Sequence, residues 1–147
     1  MEVTFKTFSE LTTKELYQIL QLRSEVFVVE QNCVYQDIDG KDEKAIHVIG
    51  VIQNKIVAYT RCFEPGEYFK EASIGRVVVK KTERKLKRGN QIMIHSIKAI
   101  ETLYQTKTII ISAQSHLKFF YNNFGFYSVG NEYLEDGIPH IEMIKNK

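Results

Sequence analysis

Basic side chains are concentrated in one short segment of the chain. Residues 80–88, KKTERKLKR, carry six Lys and Arg side chains, and Gly89-Asn90 follow at the predicted start of a helix. The free N–H groups of a helix start bind anions, and neighbouring cationic groups strengthen the binding of a pyrophosphate. A glycine at this junction lets a ligand approach the backbone. The segment therefore predicts a site for a phosphorylated ligand, and the alternative interpretation is a solvated basic loop.

A tyrosine lies on the apolar face of a short predicted helix. Residues 116–126 read HLKFFYNNFGF, and helical spacing places four apolar side chains on one face: Leu117, Phe120, Tyr121 and Phe124. Gly125 is expected to end the helix. Because a buried tyrosine hydroxyl needs a hydrogen-bond partner or a function, Tyr121 is a candidate functional residue. The alternative is an aromatic side chain of the core.

The composition excludes several classes of protein. The chain has 147 residues, of which 44% are hydrophobic and 26% charged, as is typical of one globular domain spanning 1–147. A net charge of +2 does not favour a nucleic-acid partner, and no apolar run is long enough to span a membrane. The N-terminus resembles no export signal, so we expect a cytoplasmic protein. Cys33 and Cys62 match no metal or disulfide framework, so no metal is predicted.

Hydrophobic periodicity predicts the elements that position these residues. Apolar patterns predict strands near residue 3, at 46–52, 56–63, 73–79 and 108–112, and on both sides of Asp136-Gly137. Helical spacing and capping residues predict helices at 12–28, 89–105 and 115–124. The strand–helix–strand unit from 73 to 112 should form a parallel crossover. The expected fold class is mixed α/β, with a largely antiparallel central sheet, one parallel strand pair and helices on both faces.

These segments together resemble the GNAT superfamily of N-acetyltransferases over nearly the whole chain. In that family acetyl-CoA binds where two parallel strands splay apart, and the order of elements agrees. The family's pyrophosphate motif, Gln/Arg-x-x-Gly-x-Gly/Ala, matches residues 84–89, RKLKRG, except that Lys87 replaces the first glycine. Phe120-Tyr121 and Gly125-Phe126 match the family's Phe-Tyr…Gly-Phe signature.

The resemblance implies which residues hold acetyl-CoA, the expected cosubstrate. The backbone of the strand at 75–79 would pair with the pantetheine arm, and Gln114 stands where the family often has Asn. The lysine at position 87 would either crowd the diphosphate or bind it. The implied cofactor-binding residues are Val77, Val78, Val79, Arg84, Lys85, Lys87, Arg88, Gly89, Asn90, Gln114, Phe120 and Tyr121.

The flanking segments resemble the ElaA-type branch of the superfamily. The matching residues are LRSEVFVVEQ at 22–31, YQDID at 35–39, His47, AQSH at 113–116 and EDGIPH at 135–140. This branch implies no particular acceptor, so the resemblance leaves the amine unassigned.

The resemblance also implies the chemistry, which is direct attack of an amine on the acetyl thioester. An alkyl amine has a pKa of about 10 and is protonated at neutral pH, so a base must remove a proton. Glu30 and His140 are the candidate bases, although an isolated histidine is more often a hydrogen-bonded structural residue. Tyr121 occupies the position of the family's usual general acid and is the candidate proton donor to the leaving thiolate.

The loop after the first helix borders the acceptor in this family, and here it is acidic. Residues 37–43, DIDGKDE, would attract a cationic small-molecule or peptide amine while the basic segment holds the phosphates. The candidate acceptor-binding residues are Glu30, Asp37, Asp39 and His47. The alternative is that these carboxylates are solvated or pair with Arg23 and Lys41. Arg23 and Arg76 are also candidates to order the loop by pairing with Glu30 or Asp37.

Two other functions fit parts of the pattern. One is a non-catalytic acyl-CoA-binding or sensing module on the same fold. The other is a nucleic-acid patch at residues 80–88, which the low net charge disfavours. The favoured prediction is an acetyl-CoA-dependent N-acetyltransferase without nucleic-acid or membrane partners, as a monomer or a homodimer.

Overall fold

A computed structural model describes all residues, 1–147, and contains one seven-stranded sheet. In chain order the strands are β1 (Glu2–Thr7), β2 (Ile46–Ile52), β3 (Lys55–Phe63), β4 (Ala72–Val79), β5 (Ile109–Gln114), β6 (Tyr127–Glu135) and β7 (Ile138–Lys145). The α-helices are α1 (Thr13–Arg23), α2 (Arg88–Tyr104) and α3 (Lys118–Asn122). The sheet order is β1-β2-β3-β4-β5-β7-β6, and only the β4–β5 pair is parallel. The predicted element order and fold class are confirmed.

Two hydrophobic clusters cover the two faces of the sheet. Successive strand residues point to opposite faces, so Val48 packs in one cluster and Ile49 in the other. The larger cluster joins α2 and α3 to the sheet, and the smaller joins α1 to the opposite face. Helices therefore lie on both faces, as expected. None of the helices is long and apolar enough to cross a membrane.

The first helix starts as predicted but changes its geometry before it ends. Thr12 and Glu15 form the expected capping box, in which each side chain accepts a hydrogen bond from the other residue's backbone N–H. After Arg23 the helix widens into a π-helical segment, Ser24–Glu30. The N–H of Cys33 donates to the carbonyl of Val28 at 3.0 Å, a five-residue spacing. Helical structure thus extends two residues beyond the predicted end, and π-helical turns are frequent at functional sites.

Strand β4 contains an extra residue at the point where the sheet opens. On β3, Tyr59 pairs with Val78 and Arg61 with Gly75, so the single residue between them faces both Arg76 and Val77. Arg76 adopts a left-handed φ of 50° at this bulge. The parallel ladder joins β4 to β5 only at Ala72↔Ile109 and Ser73↔Ile110. Beyond these pairs the two strands diverge, which leaves the later backbone groups of β4 without a strand partner on that side.

Candidate functional site

A cleft of about 580 Å³ opens where β4 and β5 diverge. Its walls come from the π-helical segment and the loop after it, from β4 and β5, from the start of α2, from α3 and from the β6–β7 turn. We call residues 84–90, for which the sequence predicts a phosphate site, the phosphate end of the cleft, and residues 135–140 its hairpin end.

Most of the residues predicted for the site line this one cleft. They are Val77, Val78, Val79, Arg84, Lys85, Lys87, Arg88, Gly89, Asn90, Gln114, Phe120 and Tyr121, together with the two candidate bases Glu30 and His140. The three other predicted residues, Asp37, Asp39 and His47, do not line it. The fold thus brings the cofactor-binding candidates and the proposed acid–base residues into one cavity.

The phosphate end has polar groups without partners. The first helical hydrogen bond of α2 runs from the N–H of Gln91 to the carbonyl of Lys87, so the preceding N–H groups at the helix start are not used by the helix. The buried Nε of Arg88 makes no hydrogen bond, and the nearest carboxylate oxygen, on Glu83, lies 3.8 Å away. Unpaired N–H donors beside partly exposed positive charge fit a pyrophosphate.

The backbone conformation and the space around residues 87 and 89 explain why the pyrophosphate motif has glycine at these two positions. Lys87, at the first glycine position, has a left-handed φ of 59°, a conformation that costs a non-glycine residue about 1 kcal/mol. At the second position, a Cβ on Gly89 would lie 3.3 Å from Cζ of Phe120, which is tighter than ordinary contact. Lys87 therefore adopts a conformation that favours glycine, and Gly89 lies where a side chain would be crowded.

An ion pair connects the phosphate end to the π-helical segment. Arg84 donates from its two terminal nitrogens to the two carboxylate oxygens of Glu30, at 2.6 and 2.9 Å, and from Nε to the carbonyl of Val79 at 3.1 Å. These hydrogen bonds hold the pKa of the Glu30 carboxyl below its usual value. A carboxylate with a lowered pKa has a lower affinity for a proton, so this pairing makes Glu30 a weaker base.

The hydroxyl group of Tyr121 is available to a ligand in the cleft. The side chain is 5% exposed, lines the cleft, and makes no hydrogen bond through its hydroxyl. Burial raises the pKa of Tyr121, which keeps the phenol protonated at neutral pH. The hydroxyl can therefore act as a hydrogen-bond or proton donor to a group placed in the cleft.

At the hairpin end, His140 is held rigidly between two strands. Its Nδ1 lies 2.7 Å from the carbonyl oxygen of Ile138, and its Nε2 lies 3.3 Å from Oε2 of Glu135. The imidazole stacks on the ring of Tyr133, with centroids 6.2 Å apart and planes tilted by 24°. A hydrogen bond between the Tyr133 hydroxyl and Ser112 of β5 fixes that ring in turn. Glu135 also lines the cleft.

In place of the acceptor contact expected for Asp37 and Asp39, the structure gives both carboxylates structural partners. Asp37 accepts hydrogen bonds from Nε of Arg23 at 2.9 Å and from Nε of Arg76 at 2.8 Å. Asp39 accepts two hydrogen bonds from Arg61, both at 2.8 Å. Burial alone would raise the pKa of Asp39, but its arginine partners lower it to about 2. These ion pairs hold the loop against the sheet, so neither carboxylate is free to bind a ligand.

His47, the third predicted residue outside the cleft, is an internal structural histidine. It has no exposed surface, and its Nδ1 lies 2.7 Å from the Tyr59 hydroxyl. Its Nε2 donates to the carbonyl of Asp42 at 2.9 Å, which leaves Nδ1 to accept from the tyrosine. Burial lowers the pKa of His47 and keeps the ring neutral. Both nitrogens are occupied, so His47 has no atom free for an acceptor.

Sequence reasoning missed several polar residues of the cleft. The additional lining side chains include Gln31, Tyr35, His116, Glu135 and Asp136. A signal for Glu135 was present, because the two-residue turn at Asp136-Gly137 fixes the hairpin register, in which Tyr133 pairs with His140. Glu135 follows two residues later on the same face and is therefore a diagonal neighbour of His140.

Comparison with known proteins agrees with this geometry. The model of the acetyltransferase (GNAT) domain family matches residues 8–147. The chain is 43% identical over 139 residues to the protein ElaA of Escherichia coli K12, which covers 93% of this chain and 91% of the relative. A crystal structure of an acyl-CoA N-acyltransferase from Pseudomonas aeruginosa superposes with a TM-score of 0.92 at 41% identity and covers 99% of both chains.

A more distant structure shares the fold alone. An aminoglycoside 6'-N-acetyltransferase complexed with coenzyme A matches with a TM-score of 0.74 at 17% identity, over 97% of this chain and 96% of that one.

Proposed function

Since this chain belongs to the GNAT acetyltransferase family, we propose that it transfers an acetyl group from acetyl-CoA to a primary amine. The observation that carries the proposal is the Tyr121 hydroxyl, which lines the cleft without a hydrogen-bond partner. Tyr121 stands at the position of the family's usual general acid, and a protonated phenol there fits acid catalysis.

The residues of the phosphate end fit the diphosphate of acetyl-CoA. The N–H groups at the start of α2 and the side chains of Arg88, Lys85 and Lys87 supply donors and positive charge. The backbone of Val77–Val79, beyond the last β4–β5 pair, is free to pair with the pantetheine arm as a neighbouring strand would. Gln114 and Phe120 line the same channel and complete the proposed cofactor site.

The proposed reaction needs a base, an acid and donors to an oxyanion. When bound, acetyl-CoA supplies an activated thioester carbonyl. His140 is the favoured base, because the pKa of Glu30 is held low by Arg84. The C–N bond forms, a backbone N–H of β4 donates to the developing oxyanion, and the C–S bond then breaks. Tyr121 donates its phenolic proton to the leaving thiolate, and the second proton lost by the attacking nitrogen restores the phenol through the solvent.

The test is the release of free thiol from acetyl-CoA in the presence of primary amines. We expect amine-dependent release by the purified protein, with formation of the N-acetyl product detected by mass spectrometry. A tertiary amine of the same size is the control, because it cannot form an amide. Retained CoA binding without turnover on any primary amine would contradict the proposal and favour the non-catalytic binding module.

A further inference from the structure

The hairpin end of the cleft contains two hydrogen-bond acceptors that face each other. Nδ1 of His140 lies 2.7 Å from a backbone carbonyl, which only accepts, so Nδ1 carries the proton. In the neutral imidazole Nε2 then has a lone pair, and it lies 3.3 Å from a carboxylate oxygen of Glu135. With the imidazole neutral, two acceptors at this distance repel one another unless a donor lies between or beside them, and with the imidazole protonated the same two groups form an ion pair.

Neither acceptor is satisfied by another part of the protein. His140 is 7% exposed, and the polar contact of its Nε2 is with Glu135. The Glu135 side chain is half exposed and pairs with no lysine or arginine. Both residues line the cleft, so a ligand bound there can reach both.

We propose that Glu135 and His140 together form the receptor for the ammonium group of the acceptor amine. A primary ammonium has three N–H groups, so it can donate one hydrogen bond to the carboxylate and another to Nε2 of His140. This inference rests on the proposed function and adds the recognition of the acceptor, as a protonated primary amine, to it.

The same two residues can also remove a proton from the bound ammonium group. His140 Nε2 takes one proton from the ammonium nitrogen, becomes an imidazolium ion, and leaves the nitrogen lone pair free for attack. The Glu135 carboxylate stabilises the imidazolium that forms, and His140 later returns the proton to solvent. Glu135 thus binds the substrate and His140 acts as the base.

The packing around His140 makes the receptor rigid. The Tyr133 ring stacks on the imidazole, and the hydrogen bond to Ser112 joins that ring to β5 on the far side of β7. His140 itself pairs with Gln114 in the β5–β7 register, next to the open part of the sheet. A base fixed in this way keeps its orientation when the amine binds, which lowers the entropy cost of binding.

The position of the receptor agrees with the charges around the cleft. The acidic loop is committed to arginine partners, and Glu30 is committed to Arg84. Glu135 and Asp136 are the lining carboxylates at the hairpin end that pair with no lysine or arginine, and of the two Glu135 is the one in contact with His140. A cationic acceptor is still expected, but it is recognised by the β6–β7 hairpin and not by residues 37–43.

A binding experiment tests the receptor without turnover. Ring-¹⁵N-labelled protein saturated with CoA is titrated with n-butylamine and, separately, with N,N-dimethylbutylamine, and the His140 resonance is followed by NMR. The His140→Asn variant identifies that resonance by its absence. We expect a saturable shift with the primary amine and a much weaker one with the tertiary amine, which has the same charge but one N–H. No saturable shift, or equal shifts with both amines, would overturn the proposal.

Matched variants separate recognition from folding. Glu135→Gln should weaken n-butylamine binding about tenfold, which corresponds to about 1.4 kcal/mol, without changing the CoA Kd or the Tm. Glu132→Gln, on the same strand but outside the cleft, is the control and should change none of these. Amine affinity unchanged in Glu135→Gln contradicts the receptor even if acetyl transfer occurs. Binding as expected without acetyl transfer contradicts the proposed function and leaves the receptor intact.

Discussion

At the scale of single residues, the Arg84–Glu30 ion pair joins the two walls of the cleft. Arg84 belongs to the phosphate end, yet all the hydrogen bonds described for its guanidinium go to Glu30 and to the carbonyl of Val79. A diphosphate at the start of α2 must compete with Glu30 for the same donors. We therefore expect the ion pair to oppose binding of the proposed cofactor.

Removing the charge of Glu30 should tighten CoA binding. We expect Glu30→Gln to lower the CoA Kd a few-fold, because a partly exposed ion pair is worth about 0.2–1 kcal/mol. Pantetheine, which lacks the phosphates, should bind equally to both proteins in calorimetric titrations. Glu25→Gln is the control, since Glu25 lies in the same segment but pairs with Lys80 outside the cleft. A large loss of kcat in Glu30→Gln would instead identify Glu30 as the base.

Removing the hydroxyl of Tyr121 should slow the chemical step without changing stability or CoA binding. Tyr121→Phe deletes a group that makes no hydrogen bond in the protein, so we expect the Tm and the CoA Kd to stay unchanged. Loss of a general acid should reduce kcat by about 10²–10⁴-fold. Tyr104→Phe, outside the cleft, serves as the control in the same steady-state assay. An unchanged kcat for Tyr121→Phe, with chemistry rate-limiting, would disprove the assignment.

At the scale of elements, the bulge of β4 is held open by the loop that follows the π-helical segment. Asp37 is 6% exposed and binds Arg76, the left-handed residue of the bulge, through both its side chain and its carbonyl. Arg23 binds the other carboxylate oxygen from the end of α1. One carboxylate therefore connects α1, the loop and the strand whose divergence creates the cleft.

Substitution of Asp37 should cost both stability and cofactor affinity. Asp37→Asn removes the carboxylate that Arg23 and Arg76 share, but Arg23 keeps Asp42 and Arg76 keeps Asp39 as partners. The cost should therefore lie at the lower end of the about 3–5 kcal/mol for breaking a buried pair. We expect a loss of that size in urea unfolding, and a weaker CoA affinity at urea concentrations where the variant is still folded.

The control for Asp37 is an ion pair on the surface. Glu67→Gln removes the partner of Lys44, at a nitrogen–oxygen distance of 3.8 Å and with the lysine mostly exposed. Its loss should cost less than about 1 kcal/mol. Equal effects of the two substitutions would show that the Asp37 contacts do not hold the bulge.

At the scale of the whole molecule, three arginines and three aspartates form one largely buried network that links α1, the loop, β3 and β4. Its arginines are Arg23, Arg61 and Arg76, and its aspartates are Asp37, Asp39 and Asp42. Such a network stabilises the fold only while the carboxylates are ionised. The stability of the protein should therefore depend on pH in the acidic range.

The pH dependence has a definite sign. In the folded state the pKa of Asp39 is lowered to about 2 from an ordinary value of 3.8. A lowered folded-state pKa contributes stability that is fully present above pH 4 and is lost as the pH falls towards 2. We expect the free energy of unfolding, measured by urea titration, to fall across this window. Asp39→Asn should flatten the slope, and an unchanged slope would contradict the role of Asp39.

Much of the fold, and many of the residues that line the cleft, could be predicted from the sequence alone. Hydrophobic periodicity and the Thr12–Glu15 capping box gave the element order because those signals are local. Residues 84–90 could also be identified from the sequence, because they form one continuous segment at a strand–helix junction. Tyr121 was found for the same reason, because a short helical stripe defines which side faces the interior.

Only the tertiary structure decided which charges remain free to bind a ligand. Glu30 and Arg84 are 54 residues apart, and Arg76 lies 39 residues from Asp37, yet each pair is in direct contact. The left-handed bulge at Arg76 has no local signal, because the strand pairing and the buried aspartate stabilise it rather than its own residue type. Distance and burial decide whether a charged side chain pairs with another residue or stays free to bind a substrate. Neither quantity can be calculated from the separation of two residues in the sequence.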